Sequence, residues 1–400
     1  MKTERANQNL GRPGFAVSNL TRWLDRRHIV MCCGILLFAE IVAWGSVLYA
    51  TRNEYYSPDF ISFYAAGVLA DSGHPALAYQ HAALYAAERA VVPGSNGFFF
   101  YPPVFLLLCA VFAWFPPFVA LLLFDAVIVG VYLLVARAIV GDRGWAISLP
   151  LLAFPPVMWN VITGQNGLLT AVLFGAATLV IDRRPVTGGL LFGAVCYKPQ
   201  LGLLIPVALA SGRRWRAFAA AASAVGVLCL ASLLVFGWST WQAFLDNATT
   251  ARGVYDTGEV AFKGFLTPFA AVRLLGGSKA LSYGTQAVAT LVAVLFVGWT
   301  WRRPLPLPIR AAALAAATLM AFPTIFYYDL MLDGVAIAWL FGRDNRCRIR
   351  PYEKIGVAGL FVLLVYAMRL ADWMPIVGMI AWTITAIVLV QALRARRAAG

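Results

Sequence analysis

The chain is 400 residues long, 61% hydrophobic and 12% charged, with a formal net charge of +14. Soluble domains are about a quarter charged and about half apolar, so this composition excludes a soluble globular protein and describes a polytopic membrane protein. The 32 Lys and Arg residues cluster between apolar runs, so the charge reads as a topology signal and a contact with anionic lipids, and no nucleic-acid partner is expected.

Residues 1–28 form a cytoplasmic N-terminal segment ending in "RWLDRRH" (22–28). The first apolar run, residues 29–50, has the length of about 17–25 residues that crosses a bilayer. It carries Glu40 and has no small-residue cleavage site, so it is a retained helix and not a signal peptide. Further basic connectors follow at 182–185, 212–216, 302–310 and 342–350, and the tail "RARR" (394–397) closes the chain. The positive-inside rule puts these on the cytoplasmic side, with residues 395–400 as a cytoplasmic tail. Residues 29–394 then make one transmembrane domain, with outward loops at 51–98 and 237–280.

In the first outward loop, "PDFISFYAAGVLADSG" and "HPALAYQHAALYAAERAVV" predict two amphipathic helices on the membrane surface. Asp59 opens the first, with Tyr55, Tyr56, Phe60 and Phe63 around it in sequence. Residues 99–140 hold "FYPP" and "FPP" about a run too short to span, which leaves one full helix and one re-entrant or tilted one. The segment "GFFFYPP" suits interface packing or a sugar platform. Glu40 and Asp125, single acids inside apolar runs, are expected to be internal hydrogen-bond partners.

Three later apolar stretches are interrupted midway. Residues 145–181 break at "TGQNG" (163–167), 186–211 at "YKPQ" (197–200) and 309–341 at "FPTIFYYDL" (322–330). Each stretch is basic near both ends, so each break belongs at the outer face. Broken backbone at membrane depth is tolerated only where protein or a water-filled cavity receives its polar groups, so a cavity opening outward is expected. The expected architecture is all-α, with about 10–13 transmembrane helices and no internal repeat.

The six cysteines (32, 33, 109, 196, 229, 347) form no CxxC pattern, and the three histidines form no HExxH. Neither a His- or Cys-ligated metal site nor a cofactor is expected, and a cation held by carboxylates stays open. The outward motifs instead gather Asp59, Gln165, Asn166, Lys198, Gln200, Tyr327, Tyr328 and Asp329. Ionisable groups at membrane level are expensive unless paired or hydrated, so they mark a functional site by default. A carboxylate, Asp59 or Asp329, can take a proton from a hydroxyl nucleophile. Lys198, with Arg252 and Lys263 of the second loop, can neutralise a departing phosphate. The amides Gln165, Asn166 and Gln200 and the hydroxyls of Tyr327 and Tyr328 suit a sugar or its acceptor. Structural readings stand beside these: a helix cap for Asp59 or Asp329, snorkelling for Lys198 and a tight turn for "GQNG".

The ordered set "SPDFISFYAAG", "FFFYPP", "GQNG", "YKPQLGLLIP" and "FPTIFYYDL", over residues 55–345, resembles membrane glycosyltransferase family 87. The resemblance implies a GT-C-like fold and a hexosyltransferase using a polyprenyl-phosphate sugar. Mannose, from polyprenyl-phosphate-mannose, would pass to a glycan or glycolipid at the outer face of the bacterial cytoplasmic membrane. It also implies that Asp59 matches an essential acid of the first outward loop. The relatives compared carry a histidine pair where this chain has Tyr328 and Asp329, which leaves the base open between Asp59 and Asp329. A transporter or flippase of a lipid-linked saccharide, or a non-catalytic assembly protein, would share the cavity and the polar motifs.

Overall fold

The computed structural model describes residues 26–50, 58–141, 144–342, 350–370 and 376–399. Tyr55, Tyr56, Arg22 and the connector at 343–349 with Cys347 lie outside these residues. The helices used below are α1 (Arg26–Ala50), α2 (Pro58–Asp71), α3 (His81–Val91), α4 (Pro103–Phe112), α5 (Pro117–Val140), α6 (Pro155–Thr163), α7 (Gly167–Val180) and α8 (Pro185–Gly193). They continue as α9 (Ile205–Ser211), α10 (Trp215–Phe236), α11 (Trp238–Thr257), α12 (Lys279–Arg302), α13 (Leu307–Thr318), α14 (Met331–Phe341), α15 (Pro351–Leu370) and α16 (Ile376–Ala399). Among the described residues no strand forms, and Phe265 and Phe326 make an isolated antiparallel bridge.

The proline pairs decide several boundaries. Helices α4, α5 and α6 all begin on a proline of "YPP", "FPP" and "FPP". A proline at the first helical position lacks only an N–H that would have no partner there anyway. Residues 99–140 accordingly resolve into a ten-residue helix, too short to span, and a 24-residue one.

Four described helices are long and apolar enough to cross a membrane: residues 27–46 of α1, and α5, α10 and α12. Their large side chains remain exposed, among them Phe118, Leu122 and Leu134 of α5 and Leu230 and Leu234 of α10. Exposed apolar surface on this scale belongs against lipid. Shorter apolar helices, including α4, α7 and α13, are more enclosed; every residue from Ala311 to Ala317 is buried. Several stretches that look like whole spans in the sequence are therefore broken pieces inside the bundle. Where α8 meets α10, a Cβ at Gly189 or Gly193 would collide with the Ala217 or Ala221 carbonyl, so these glycines admit the close approach.

Among the described residues the core divides into two large clusters and two small ones. Of the large pair, the first is built on α7, α13 and α14, and the second packs α2 and α4 through Phe60, Phe63, Phe105 and Phe112. Leu169 and Leu173 of α7 touch both. Helix α3 has the expected exposed face, but α2 differs from the surface position predicted for it. Phe60 to Gly67 are buried on all sides. The stretch "FISFYAAG" has no polar face to give to water, and Gly67 crosses so close to the Cys109 carbonyl of α4 that a Cβ would overlap it. Glu40 Oε2 and Asp125 Oδ1 are buried without a hydrogen-bond partner, so these atoms do not make the internal bonds expected of them.

Candidate active site

The breaks at "GQNG", "YKPQ" and "FPTIFYYDL" converge on one cavity of about 300 Å³, with the start of α2 and the segment 96–102 completing its wall. Asp59, Gln165, Lys198, Gln200 and Tyr328 all line it. Helix α2 starts at Pro58, which puts Asp59 in its first turn with the carboxylate at the cavity wall and Phe60 and Phe63 packed into the core beside it. Burial pushes the Asp59 carboxyl up to about 6; a hydrogen bond from Gln165 and the charge of Lys198 pull it partly back.

Lys198 is held at a break. Its backbone sits between a 3-10 turn and Pro199, which cannot continue the preceding hydrogen-bond pattern. Its ammonium donates to Asp329 Oδ1 at 2.6 Å and to Asn166 Oδ1 at 3.3 Å, and lies 4.6 Å from the ring centroid of Tyr328. Asp329 is almost wholly enclosed, and its second oxygen, Oδ2, accepts from the Phe326 amide at 3.1 Å. Both oxygens of Asp329 are therefore engaged, one with a cation and one with backbone. A buried pair of this kind is costly to break, because either partner left alone is an uncompensated charge.

The "GQNG" turn reverses the chain through Gly164, in the left-handed region at φ 62°. Asn160, fully buried, locks this turn to the late motif. Its Nδ2 donates to the Tyr328 carbonyl at 3.0 Å, and its Oδ1 accepts from the Leu168 amide at 3.2 Å. A Cβ at Gly167 would overlap both the Tyr328 carbonyl and Asn160 Oδ1. The sequence-stretch partners Asn166 and Tyr327 stand behind the wall: Asn166 against Lys198, and Tyr327 edge-on to Trp159 at 5.3 Å. Arg252 and Lys263 are not among the lining residues, and Arg252 lies over the Tyr283 ring at 5.5 Å.

Other contributors were not singled out in the sequence. Glu88, buried on α3, accepts from Ser62 Oγ at 2.6 Å and from the Gly97 amide at 2.8 Å, tying α2, α3 and the segment 96–102 together. An acid in "YAAERAV" gives no sign that it will point inward. Tyr101 donates to Gln165 Oε1 at 3.5 Å, and Tyr255 and Glu259 enter the cavity from the second loop. Of "GFFFYPP", Phe99 is buried in the core while Phe98 and Phe100 line the cavity.

A site with the carboxylates of Asp59 and Glu259 in its lining, one fixed ammonium and several amide and phenol groups can deprotonate a hydroxyl beside a place for an anion. Comparison with curated proteins and with solved structures gives no match. The profile of glycosyltransferase family 87 matches residues 99–323, which include Gln165, Lys198 and Gln200 and leave Asp59 and the "YYD" motif outside. With more than half of its length matched, the chain belongs to glycosyltransferase family 87.

Proposed function

We propose that this glycosyltransferase moves a sugar, mannose in the simplest case, from a polyprenyl-phosphate donor to a glycan or glycolipid acceptor. The reaction would take place at the outer face of the bacterial cytoplasmic membrane, with the cavity opening outward as the positions of the basic connectors suggest. One observation carries the assignment of the base. Asp59 presents its carboxylate to the cavity, whereas both Asp329 oxygens are already engaged by Lys198 and by backbone.

The acceptor hydroxyl attacks the anomeric carbon from the Asp59 side and gives its proton to that carboxylate. The bond from the anomeric carbon to the phosphate oxygen breaks, and the electron pair leaves with the lipid phosphate. Lys198 neutralises the charge that develops on it, and Asp329 fixes the ammonium in place. Gln165, Gln200 and Tyr328 take sugar or acceptor hydroxyls, and Asn166 and Tyr327 support them from behind. Arg252 and Lys263, on the second loop, would meet the donor only outside the cavity. A phosphate monoester is a good leaving group, so no acid is required on its side.

The transporter reading shares the cavity but has no use for a base within it, and family membership favours transfer. Incubating purified protein in detergent with a synthetic polyprenyl-phosphate sugar separates the two. Transfer yields a longer acceptor and free lipid phosphate, while a transporter leaves the donor intact.

A further inference from the structure

Gln165 stands between the carboxylate and the ammonium of the cavity. It is buried and belongs to the same lining as Asp59 and Lys198. Its Oε1 accepts from the Asn166 amide at 3.2 Å and, more weakly, from the Tyr101 hydroxyl at 3.5 Å. A backbone N–H can only donate, so the end of the side chain that meets Asn166 is the oxygen and the NH2 end points away. That NH2 end donates to the Asp59 carboxylate. Both groups that aim Gln165 are themselves held. The Asn166 carbonyl accepts from the Tyr197 hydroxyl at 3.1 Å and from Thr170 Oγ1 at 3.3 Å, and these two hydroxyls share a 2.5 Å hydrogen bond. Tyr101 packs on Phe63 and Phe105, and its carbonyl accepts from the Tyr79 hydroxyl at 3.0 Å. Gln165 cannot turn without giving up its bonds to Asn166 and Tyr101.

A donor already aimed at a carboxylate stabilises its ionised form and fixes which way its oxygens face. We propose that Gln165 is the positioning residue of the base: one N–H of its amide holds the Asp59 carboxylate at the cavity wall, and Asn166 and Tyr101 fix the direction of that N–H. The second N–H of the same amide is left for an acceptor hydroxyl, which it would bring beside the carboxylate. This rests on the reading of Asp59 as the base. In the lining with Asp59 stand Lys198, the phenols of Tyr101 and Tyr328 and the Glu259 carboxylate, with Asp329 behind Lys198. On the core side of α2, Glu88 of α3 is committed to Ser62 and Gly97, and α4 and α5 present Phe112 and Phe124 to Phe60. Removing the Gln165 amide changes none of these groups, so Asp59 should become a weaker acid through the loss of that one bond.

The test titrates the Asp59 carboxyl of the purified full chain by infrared difference spectroscopy, its band assigned by its loss in Asp59→Asn. A pH–rate profile of transfer is recorded beside it. Gln165→Met keeps the length of the side chain and removes the donor. It should raise the midpoint of the Asp59 titration and of the acid limb of kcat/KM together, by about one pH unit, the worth of a hydrogen bond to a charged group. Tyr101→Phe removes a single hydroxyl and should move both midpoints the same way by less; it carries the test if Gln165→Met does not fold. Glu259 is the other carboxylate of the lining, so both comparisons are repeated in a Glu259→Gln background, where the shifts should persist. Midpoints unmoved by either variant would overturn the positioning role even with transfer slowed, because damaged packing lowers the rate at every pH alike. A shift that vanishes in the Glu259→Gln background would overturn it too. An infrared midpoint that moves while Asp59→Asn leaves the rate intact would overturn Asp59 as the base and leave the Gln165 contact standing.

Discussion

Asp59 and Asp329 look interchangeable in the sequence, each a carboxylate beside aromatic residues. Their difference arises from partners far along the chain. Lys198 and Asp329 are 131 positions apart, and no local pattern announces that they will pair. Once paired, they make a stability prediction. Lys198→Met should cost about 3–5 kcal/mol in unfolding free energy, because a buried carboxylate loses its cation. The double variant Lys198→Met, Asp329→Leu should regain most of it without regaining transfer, as chemical denaturation and activity measured side by side would show. For Asp59 the sign of the pH dependence is fixed by burial. Its folded pKa of about 6 lies above the unfolded value of about 3.9, so the folded protein holds the proton through that window and stability falls as pH rises across it. The base works only when ionised, so transfer should fall as pH drops through about 6, and a pH–rate profile checks this. A rate independent of pH between 5 and 8 would count against Asp59.

At the scale of the element, the breaks were readable and their meeting was partly so. Proline pairs and "GQNG" sit at real helix boundaries because proline and glycine act through local backbone geometry. Helix α2 was misplaced to the surface because its burial depends on α4, through the close crossing at Gly67. Glu88 was invisible for the same reason: only the folded arrangement gives it Ser62 and Gly97 as partners. The turn at Gly167 offers a direct test of the convergence. Gly167→Ala drives a methyl into the Tyr328 carbonyl and Asn160, and overpacking of this kind costs about 1–3 kcal/mol. Transfer should drop by more than the loss of folded protein explains, since Tyr328 moves with its carbonyl. Activity per folded molecule equal to wild type would show that the Asn160 lock has no bearing on the cavity.

Across the whole molecule, composition alone announced a membrane protein, and the four long helices with lipid-ready surfaces agree. Which helices pass whole and which are broken was not legible, because a buried short helix and half of a span have the same apolar content. The orientation proposed from the basic connectors has its own check. Ser72, exposed just beyond α2, should react with a membrane-impermeant thiol reagent in intact cells when replaced by cysteine in a cysteine-free background. Labelling only after lysis would invert the topology. The central claim is that one cavity carries out sugar transfer with Asp59 as its base. Its most direct test is the transfer rate of purified Asp59→Asn at saturating polyprenyl-phosphate sugar, with thermal unfolding recorded on the same preparation. The rate should fall by about 10²–10⁴-fold, with an unfolding temperature equal to or above that of the wild type. A variant as fast as the wild type would contradict the account.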